Sequence, residues 1–286
     1  MQTSEAITAF IEAMEAAGVV PVESIASRLA AGGPIYFDCH GDKAKSRKGW
    51  AVLHLDGRPA GAFGHFKSGI NAKWRGEPIK GLSRAERAQL QREAQAAKAK
   101  RVAEQLAAHE AAAEHCRAEW DRAGPADPSH DYLVRKGVTG EGLRQSGSKL
   151  LVPMLDADGT LWNVQTIRPD GTKLYAKGAR QKGLLLLIGK PASTICVAEG
   201  FATAASIRRA TGHAVAVAFA WSNLKAAALA LREKYPTCAF VICADDDAHL
   251  IEHPNIKRNL GADAAHDAAR AVGGRVAMPP RSPEHD

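Results

Sequence analysis

The segment TICVAEGFAT, residues 194–203, passes directly from a short apolar run into a helix-forming sequence. The same alternation continues as far as residue 278. It predicts strands at Thr194–Ala198, Ala214–Phe219, Cys238–Ala244 and Arg275–Met278, and helices at Phe201–Thr211, Leu224–Tyr235 and Leu260–Val272. Strand–helix repeats of this length form a parallel sheet with right-handed crossovers, so the predicted fold class of this region is α/β.

Carboxylates follow two of the predicted strands. Glu199 comes directly after the first, and Asp245, Asp246 and Asp247 come directly after the strand that ends at residue 244. Asp245 and Asp247 project to the same side of an extended chain, and sites in open parallel sheets lie at the carboxyl ends of strands. We therefore expect Glu199, Asp245 and Asp247 in one crevice, where such a cluster takes up protons or holds a cation such as Mg²⁺. The alternative is an acidic loop that caps a helix or is simply solvated.

The segment VAEGFAT (197–203), followed by VICADDD (241–247), resembles the Toprim domain of bacterial primases, topoisomerases, recombination mediators and some nucleases. The resemblance covers roughly residues 193–280 and implies a Rossmann-like parallel sheet and a Mg²⁺-dependent reaction at a phosphodiester, with Mn²⁺ as the alternative ion. It implies that Glu199, Asp245 and Asp247 are catalytic residues and metal ligands. Gly200 lets the backbone turn sharply into the next helix, which keeps Glu199 at the rim.

The segment before this region is rich in predicted strands and in basic residues, with six Lys and Arg against one Asp between residues 165 and 190. Predicted strands at Leu150–Leu155, Leu161–Ile167 and Lys173–Ala176 are separated by Asp-Gly turns. This segment resembles the subdomain that precedes Toprim in bacterial and plasmid primases, and residues 41–80 resemble the N-terminal region of primase-like proteins of phages and integrative elements. The resemblance implies nucleotide or nucleic-acid binding by Arg168, Lys173, Lys177, Arg180 and Lys182.

Four domains are expected along the chain. Residues 1–80 are predicted to form a small α+β domain that contacts nucleic acid, and residues 81–123 a long polar helix that begins with a capping box at Ser83 and Glu86. Residues 124–192 form the strand-rich, primase-like subdomain, and residues 193–286 the Toprim domain.

The N-terminal region combines aromatic and basic residues. Residues 41–80 carry nine Lys and Arg against three Asp and Glu, which favours a polyanion or is simply a solvated face. Aromatic rings among these cations can stack on single-stranded bases. The pattern favours a core position for Trp50 and Phe63, leaves Phe66 open, and places Trp74 on a glycine-flanked loop.

Composition excludes several classes of protein. The chain has 286 residues and a net charge of +7, and its apolar runs are far shorter than the ~20 residues of a membrane span. The first residues carry three glutamates and lack the basic start of a signal peptide, so we expect a soluble, cytoplasmic protein without a membrane partner. Because the five cysteines form no C-x-x-C pair, we expect reduced thiols and no structural zinc.

The function that these features favour is Mg²⁺-dependent nucleotidyl transfer, as a DNA primase that makes primers on single-stranded DNA. Nucleoside triphosphates are then substrates, and a replicative helicase is a further partner. Two alternatives stay open: a Toprim nuclease, which uses the same carboxylates to cut, and a DNA-binding accessory factor of a mobile element without catalysis.

Overall fold

A computed structural model describes residues 3–56, 58–76, 83–247 and 259–279. The chain forms two compact units, and the boundary between residues 104 and 105 falls inside a long helix. The predicted divisions at residues 80, 123 and 192 stay predictions.

Before the long helix, the described residues of the first unit form two helices and a four-stranded antiparallel sheet. Its elements are α1 (Thr3–Ala16), α2 (Ala26–Ala30), β1 (Pro34–Phe37), β2 (Gly49–His54), β3 (Ala60–His65) and β4 (Ile70–Arg75). The strands pair in chain order, β1-β2-β3-β4. Helix α1 covers one face of this sheet, where the ring of Phe10 meets Phe63 and Trp74 edge-on, with centroids 5.6 and 5.3 Å away. Trp74 therefore lies in β4 and packs against the core, and its predicted position on a loop is wrong.

The long polar helix α3 spans Arg84–Arg122. The predicted capping box is confirmed, because the backbone N–H of Ser83 donates to Glu86 and the backbone N–H of Glu86 donates to the Ser83 hydroxyl.

After the long helix, the second unit continues with a five-stranded antiparallel sheet. Its elements are β5 (Gly124–Pro125), α4 (Asp131–Lys136), β6 (Arg144–Ser146), β7 (Lys149–Leu155), β8 (Leu161–Ile167) and β9 (Lys173–Tyr175). The strands again pair in chain order. The three predicted strands of this segment correspond to β7, β8 and β9.

A second sheet follows in the same unit, with the strand order β10-β12-β11-β13-β14. Its elements are β10 (Leu186–Ile188), β11 (Thr194–Ala198), α5 (Phe201–Thr211), β12 (Ala214–Val217), α6 (Leu224–Lys234), β13 (Ala239–Cys243), α7 (Leu260–Val272) and β14 (Arg275–Ala277). Strands β11 to β14 pair in parallel, as predicted. Strand β10 adds an antiparallel edge to β12, so this sheet starts before residue 193.

Apolar side chains cover both faces of the β10–β14 sheet. Phe201 and Ala204 of α5 pack on one face, and Leu224 and Leu231 of α6 pack with residues of α7 on the other. This double cover explains why its strands are continuous apolar runs. Among the described residues, no helix has the length and apolarity needed to cross a bilayer.

Candidate active site

The pairing of β11 with β13 brings two of the predicted carboxylates to the same edge of the sheet. Ala198, the last residue of β11, lies opposite Cys243, the last residue of β13. Glu199 follows the first of these strands by one residue, and Asp245 follows the second by two. Because the two strands are parallel neighbours, both acids leave the sheet on the same side.

The electrostatics of Glu199 show that the carboxylates influence one another. Burial and the charges of Asp245 and Asp247 raise the pKa of Glu199 to about 7, against the opposing effects of Lys173 and a backbone hydrogen bond from Trp221. The pKa of Asp245 is also raised, first by burial and then by Asp247, with Lys173 again opposing. The site therefore holds clustered negative charge that its own residues only partly neutralise.

The loop after β13 is held by Asn259, which caps helix α7. Its side-chain oxygen accepts the N–H groups of Asp247 and Ala262, each at 3.1 Å, and its amide donates to Asp246 at 2.7 Å. Asp246 thus has a partner outside the carboxylate cluster. The side chain of Asp247 accepts the N–H of Gly261 at 3.2 Å.

Glycine at position 261 lets α7 approach the loop closely. A Cβ at this position would lie 2.5 Å from the carbonyl oxygen of Asp245 and 3.1 Å from a carboxylate oxygen of Asp247. Any larger residue would therefore displace the backbone that carries the two aspartates.

The three carboxylates fit a hard divalent cation. Carboxylate oxygens are the ligands that Mg²⁺ and Mn²⁺ prefer, and Mg²⁺ keeps several waters and bridges to phosphate rather than filling an all-protein cage. In the described part of the chain, the oxygens of Glu199, Asp245 and Asp247 do not all lie within 4.8 Å of one another. An open cluster of this kind suits a cation that shares its coordination with substrate.

Among the five predicted basic residues, Lys173 lies with the carboxylates. Its ammonium nitrogen is 3.6 Å from the point that a Cβ on Gly200 would occupy, and its charge lowers the pKa of both Glu199 and Asp245. Gly200 itself is the N-cap of α5, in an extended conformation that any residue can adopt, so the predicted need for glycine at this turn stays a prediction.

The other four basic residues are placed differently. Lys182 lines a cavity of about 260 Å³ together with Tyr175, Phe219 and Asn223. The guanidinium of Arg180 stacks over the ring of Trp162 at 5.2 Å and is thus turned toward a side chain of β8. The two remaining residues are exposed: Arg168 and Lys177.

Sequence reasoning missed the residues that shape this cavity. The hydroxyl of Tyr175 donates to the carbonyl of Phe219 at 2.9 Å, and Phe219 has a left-handed φ of 70°, which is uncommon for a bulky residue. The backbone N–H of Phe219 donates to the carbonyl of Glu199 at 2.8 Å. Buried Asn223 donates to the carbonyls of Leu184 and Ala218 at 2.9 and 2.8 Å. The sequence offered one indication of this cavity: Lys173 and Tyr175 are two residues apart, which puts both side chains on the same side of β9.

A second cluster of possible metal ligands lies in the first unit and was not predicted. Ligand atoms of Cys39, Asp42 and His65 lie within 4.8 Å of one another. Both ring nitrogens of His65 have partners, Asp42 at 2.6 Å and Ser68 at 2.9 Å, so hydrogen bonding accounts for the cluster. Burial, with the nearby charges of Asp42 and Asp38, raises the pKa of Cys39 to about 11, which keeps the thiol protonated. The expected absence of zinc stays a prediction.

A comparison with known protein families matches the parallel part of the second sheet, β11 to β14. Residues 194–286 match the family model described as "Toprim domain". This region is a Toprim domain. The matched region contains Glu199, Asp245 and Asp247.

Two curated relatives extend the likeness beyond the Toprim domain. The chain is 36% identical to a DNA primase TraC of Escherichia coli over 289 residues, which is 97% of this chain and 27% of the relative. A second DNA primase TraC of Escherichia coli is 37% identical over 248 residues, which is 84% of this chain and 17% of that relative. The expected resemblance to Toprim primases of mobile elements is thus confirmed, and the chain spans about a quarter or less of each relative's length.

Solved structures give only distant likeness. The primase fragment of the bacteriophage T7 primase-helicase protein is 15% identical, with a TM-score of 0.39 over 52% of this chain and 64% of that one. The DnaG primase catalytic domain bound to single-stranded DNA is 11% identical, with a TM-score of 0.40 over 64% of this chain and 74% of that one. Likeness at this level carries no argument about the site.

Proposed function

We propose that this chain catalyses divalent-metal-dependent nucleotidyl transfer, as a primase that makes primers on a single-stranded DNA template. The observation that carries the proposal is the half-buried cluster of Glu199, Asp245 and Asp247, with Lys173 beside it, at the carboxyl edge of a Toprim sheet. The sequence identity of 36% to a DNA primase TraC, which extends over 97% of this chain, supports it.

Glu199, Asp245 and Asp247 would hold the metal ion, with Mg²⁺ preferred and Mn²⁺ as the alternative. When bound, the ion supplies charge neutralisation for the phosphates and orientation for the reacting oxygen. The ammonium group of Lys173 adds a fixed positive charge for the phosphates of the nucleoside triphosphate.

In the alternative in which Glu199 is not bound to the ion, it is suited to move a proton at neutral pH, because its pKa in the metal-free protein is about 7. In the proposed step it accepts the proton of the primer 3′-hydroxyl. The hydroxyl oxygen then bonds to the α-phosphorus of the incoming nucleotide, and the bond to pyrophosphate breaks. The cavity beside Tyr175 and Lys182 offers room for part of that nucleotide. The proposal includes a helicase as a partner and the cytoplasm as the location.

The test is primer synthesis on single-stranded DNA with labelled nucleotides and Mg²⁺, resolved on a denaturing gel. Glu199→Gln is the site variant, and Glu233→Gln, an exposed glutamate on α6, is the matched control. We expect short labelled products from the parent and the control and none from Glu199→Gln.

Other outcomes reject the proposal. A shortened template without incorporation of label identifies a nuclease that uses the same carboxylates. DNA binding with neither product nor cleavage identifies an accessory factor. Products that persist in Glu199→Gln remove this residue from the reaction.

A further inference from the structure

The sheet of the first unit has two faces of different chemistry. Side chains alternate along β2, so that Ala51 and Leu53 are buried with the core and Trp50 is only half-buried. Tyr36 lies opposite Trp50 in the register of β1 and β2, so these two rings share the face that α1 does not cover. Phe66 joins them just after β3, where its backbone N–H donates to the carbonyl of Lys48 at 2.9 Å.

Tyr36, Trp50 and Phe66 form a contiguous group, named here the aromatic platform. The rings of Tyr36 and Phe66 are nearly parallel, at 20° and 6.2 Å between centroids, and Phe66 lies 6.4 Å from Trp50 at 34°. Tyr36 is 48% exposed and Phe66 is 54% exposed. Exposed aromatic rings gathered in one patch are typical of an interaction site rather than of scattered surface residues.

Glycine at position 64 lets the indole lie against the sheet. A Cβ at this position would be 2.7 Å from the indole nitrogen of Trp50. Gly64 lies opposite Trp50 in the register of β2 and β3, on the platform side. The absence of a side chain at position 64 therefore makes room for the Trp50 indole on this face of the sheet.

Positive charge surrounds the platform. Lys73 and Arg75 are exposed on β4, at positions whose register places them on the platform side of the sheet, and Lys48 is exposed beside Phe66. Three described acids of this unit have partners elsewhere. Asp38 accepts the backbone N–H groups of Lys45 and Arg47, Asp42 pairs with His65, and Asp56 pairs with Arg101. These carboxylates therefore do not neutralise the cations of β4.

We propose that the aromatic platform binds single-stranded DNA, with unpaired bases stacked on Tyr36, Trp50 and Phe66 and backbone phosphates near Lys73 and Arg75. Stacking rings combined with cations are what an unpaired strand recognises, whereas a duplex hides the faces of its bases. Its identification as the template strand rests on the proposed primase function. Phe63 and Trp74 are excluded from this role because they pack against Phe10 on the other face.

The test measures binding of fluorescent oligo(dT), about 15 nucleotides long, to the full chain by fluorescence anisotropy at two salt concentrations. Phe66→Leu keeps an apolar side chain but removes the π face, and Phe66→Tyr keeps the ring. We expect Phe66→Leu to raise Kd about 10-fold and Phe66→Tyr to leave it within about 2-fold. Position 66 is exposed, so the melting temperatures of both variants should match that of the parent.

Three controls sharpen the result. An abasic strand of the same length should bind the parent and Phe66→Leu equally, because it offers no base to stack. Lys73→Gln should weaken oligo(dT) binding and reduce the salt slope by about one. Glu199→Gln should leave binding unchanged while it abolishes synthesis, which separates failure of the platform from failure of the proposed function.

Several outcomes overturn the proposal. One is equal affinity of Phe66→Leu and Phe66→Tyr for oligo(dT), and another is an equal loss on the abasic strand. Tighter binding of oligo(U) of the same length would overturn the choice of DNA. Unchanged DNA affinity with an altered mass in sedimentation would assign the platform to a second copy of the chain.

Discussion

The two units treat their acidic residues in opposite ways. In the first unit, Asp38 and Asp42 accept hydrogen bonds from backbone N–H groups or from His65, so each negative charge is held by a nearby donor. In the Toprim domain, burial raises the pKa of both Glu199 and Asp245. The charges of Asp245 and Asp247 add to the rise at Glu199, the charge of Asp247 adds to the rise at Asp245, and Lys173 opposes both. An acid that accepts hydrogen bonds stabilises the loop around it. Neighbouring carboxylates repel one another, and a bound cation relieves that repulsion.

The largest expected effect comes from Asp247→Asn, set against Asp42→Asn. Removing one carboxylate of the cluster should lower the rate of primer synthesis by about 100-fold or more and raise the Mg²⁺ concentration needed for half-maximal rate. Rates measured across a Mg²⁺ titration test this. The amide can still accept the N–H of Gly261, so the melting temperature should change little.

Asp42→Asn should behave in the reverse way. It removes the charge that pairs with buried His65, so it should lower the stability of the first unit while the synthesis rate per folded molecule is retained. If the two variants lose activity equally, the distinction between the two kinds of acid is wrong.

The next effect is a pH dependence of stability in metal-free protein. The pKa of Glu199 is raised from 4.5 to about 7, so between these values the folded chain binds more protons than the unfolded chain. The free energy of unfolding should therefore fall as pH rises from about 5 to 8, by at most about 3 kcal/mol from this group. Asp245 contributes with the same sign.

Urea denaturation across this pH range, in a chelating buffer, measures the dependence. Glu199→Gln should flatten the curve because the amide does not titrate. Added Mg²⁺ should restore stability at pH 8 in the parent and less in the variant. A parent whose stability rises over this range would contradict the raised pKa.

Substitution of one glycine in each unit tests the same difference between the two units through the backbone. Gly261→Ala places a Cβ 2.5 Å from the carbonyl of Asp245, and Gly64→Ala places one 2.2 Å from the carbonyl of Ile70. Each variant should lose about 1–3 kcal/mol of stability through overpacking. Only Gly261→Ala should also change the Mg²⁺ dependence of synthesis, and only Gly64→Ala should weaken oligo(dT) binding, through Trp50.

The sequence was informative wherever the decisive pattern was local. The alternation of apolar runs with helices predicted β11 to β14, and the position of Glu199 and Asp245 directly after strands predicted their meeting at one edge. The capping box at Ser83 and Glu86 depends on residues three apart and was also predicted.

Pairings between distant segments could not be obtained in this way. The antiparallel addition of β10 depends on a partner about thirty residues away in the chain, and the run Leu186–Ile188 has the same composition as any buried strand. His65 meets Asp42 only because β3 folds back beside β2. Arg180 was indistinguishable from Lys173 by composition, yet Trp162 draws its guanidinium to β8. The buried and exposed aromatic rings were likewise separated only by the strand register.

The smallest expected effect extends the comparison to two neutral groups of the second unit. The hydroxyl of Tyr175 donates to Phe219, whereas the buried hydroxyl of Tyr132 has no hydrogen-bond partner among the described residues. Tyr175→Phe should therefore cost about 1 kcal/mol, while Tyr132→Phe should be neutral or slightly stabilising because it removes an unsatisfied polar group.

Tyr175→Phe should also reach the active site, since Phe219 donates its N–H to the carbonyl of Glu199. Without the hydroxyl, the left-handed backbone at Phe219 loses a hydrogen bond that holds it in a strained conformation. We expect a several-fold rise in the KM for nucleotide with a smaller change in kcat, measured by steady-state synthesis beside Tyr132→Phe. If both substitutions change stability and KM equally, the hydrogen bond from Tyr175 to Phe219 contributes nothing specific to stability or to nucleotide binding.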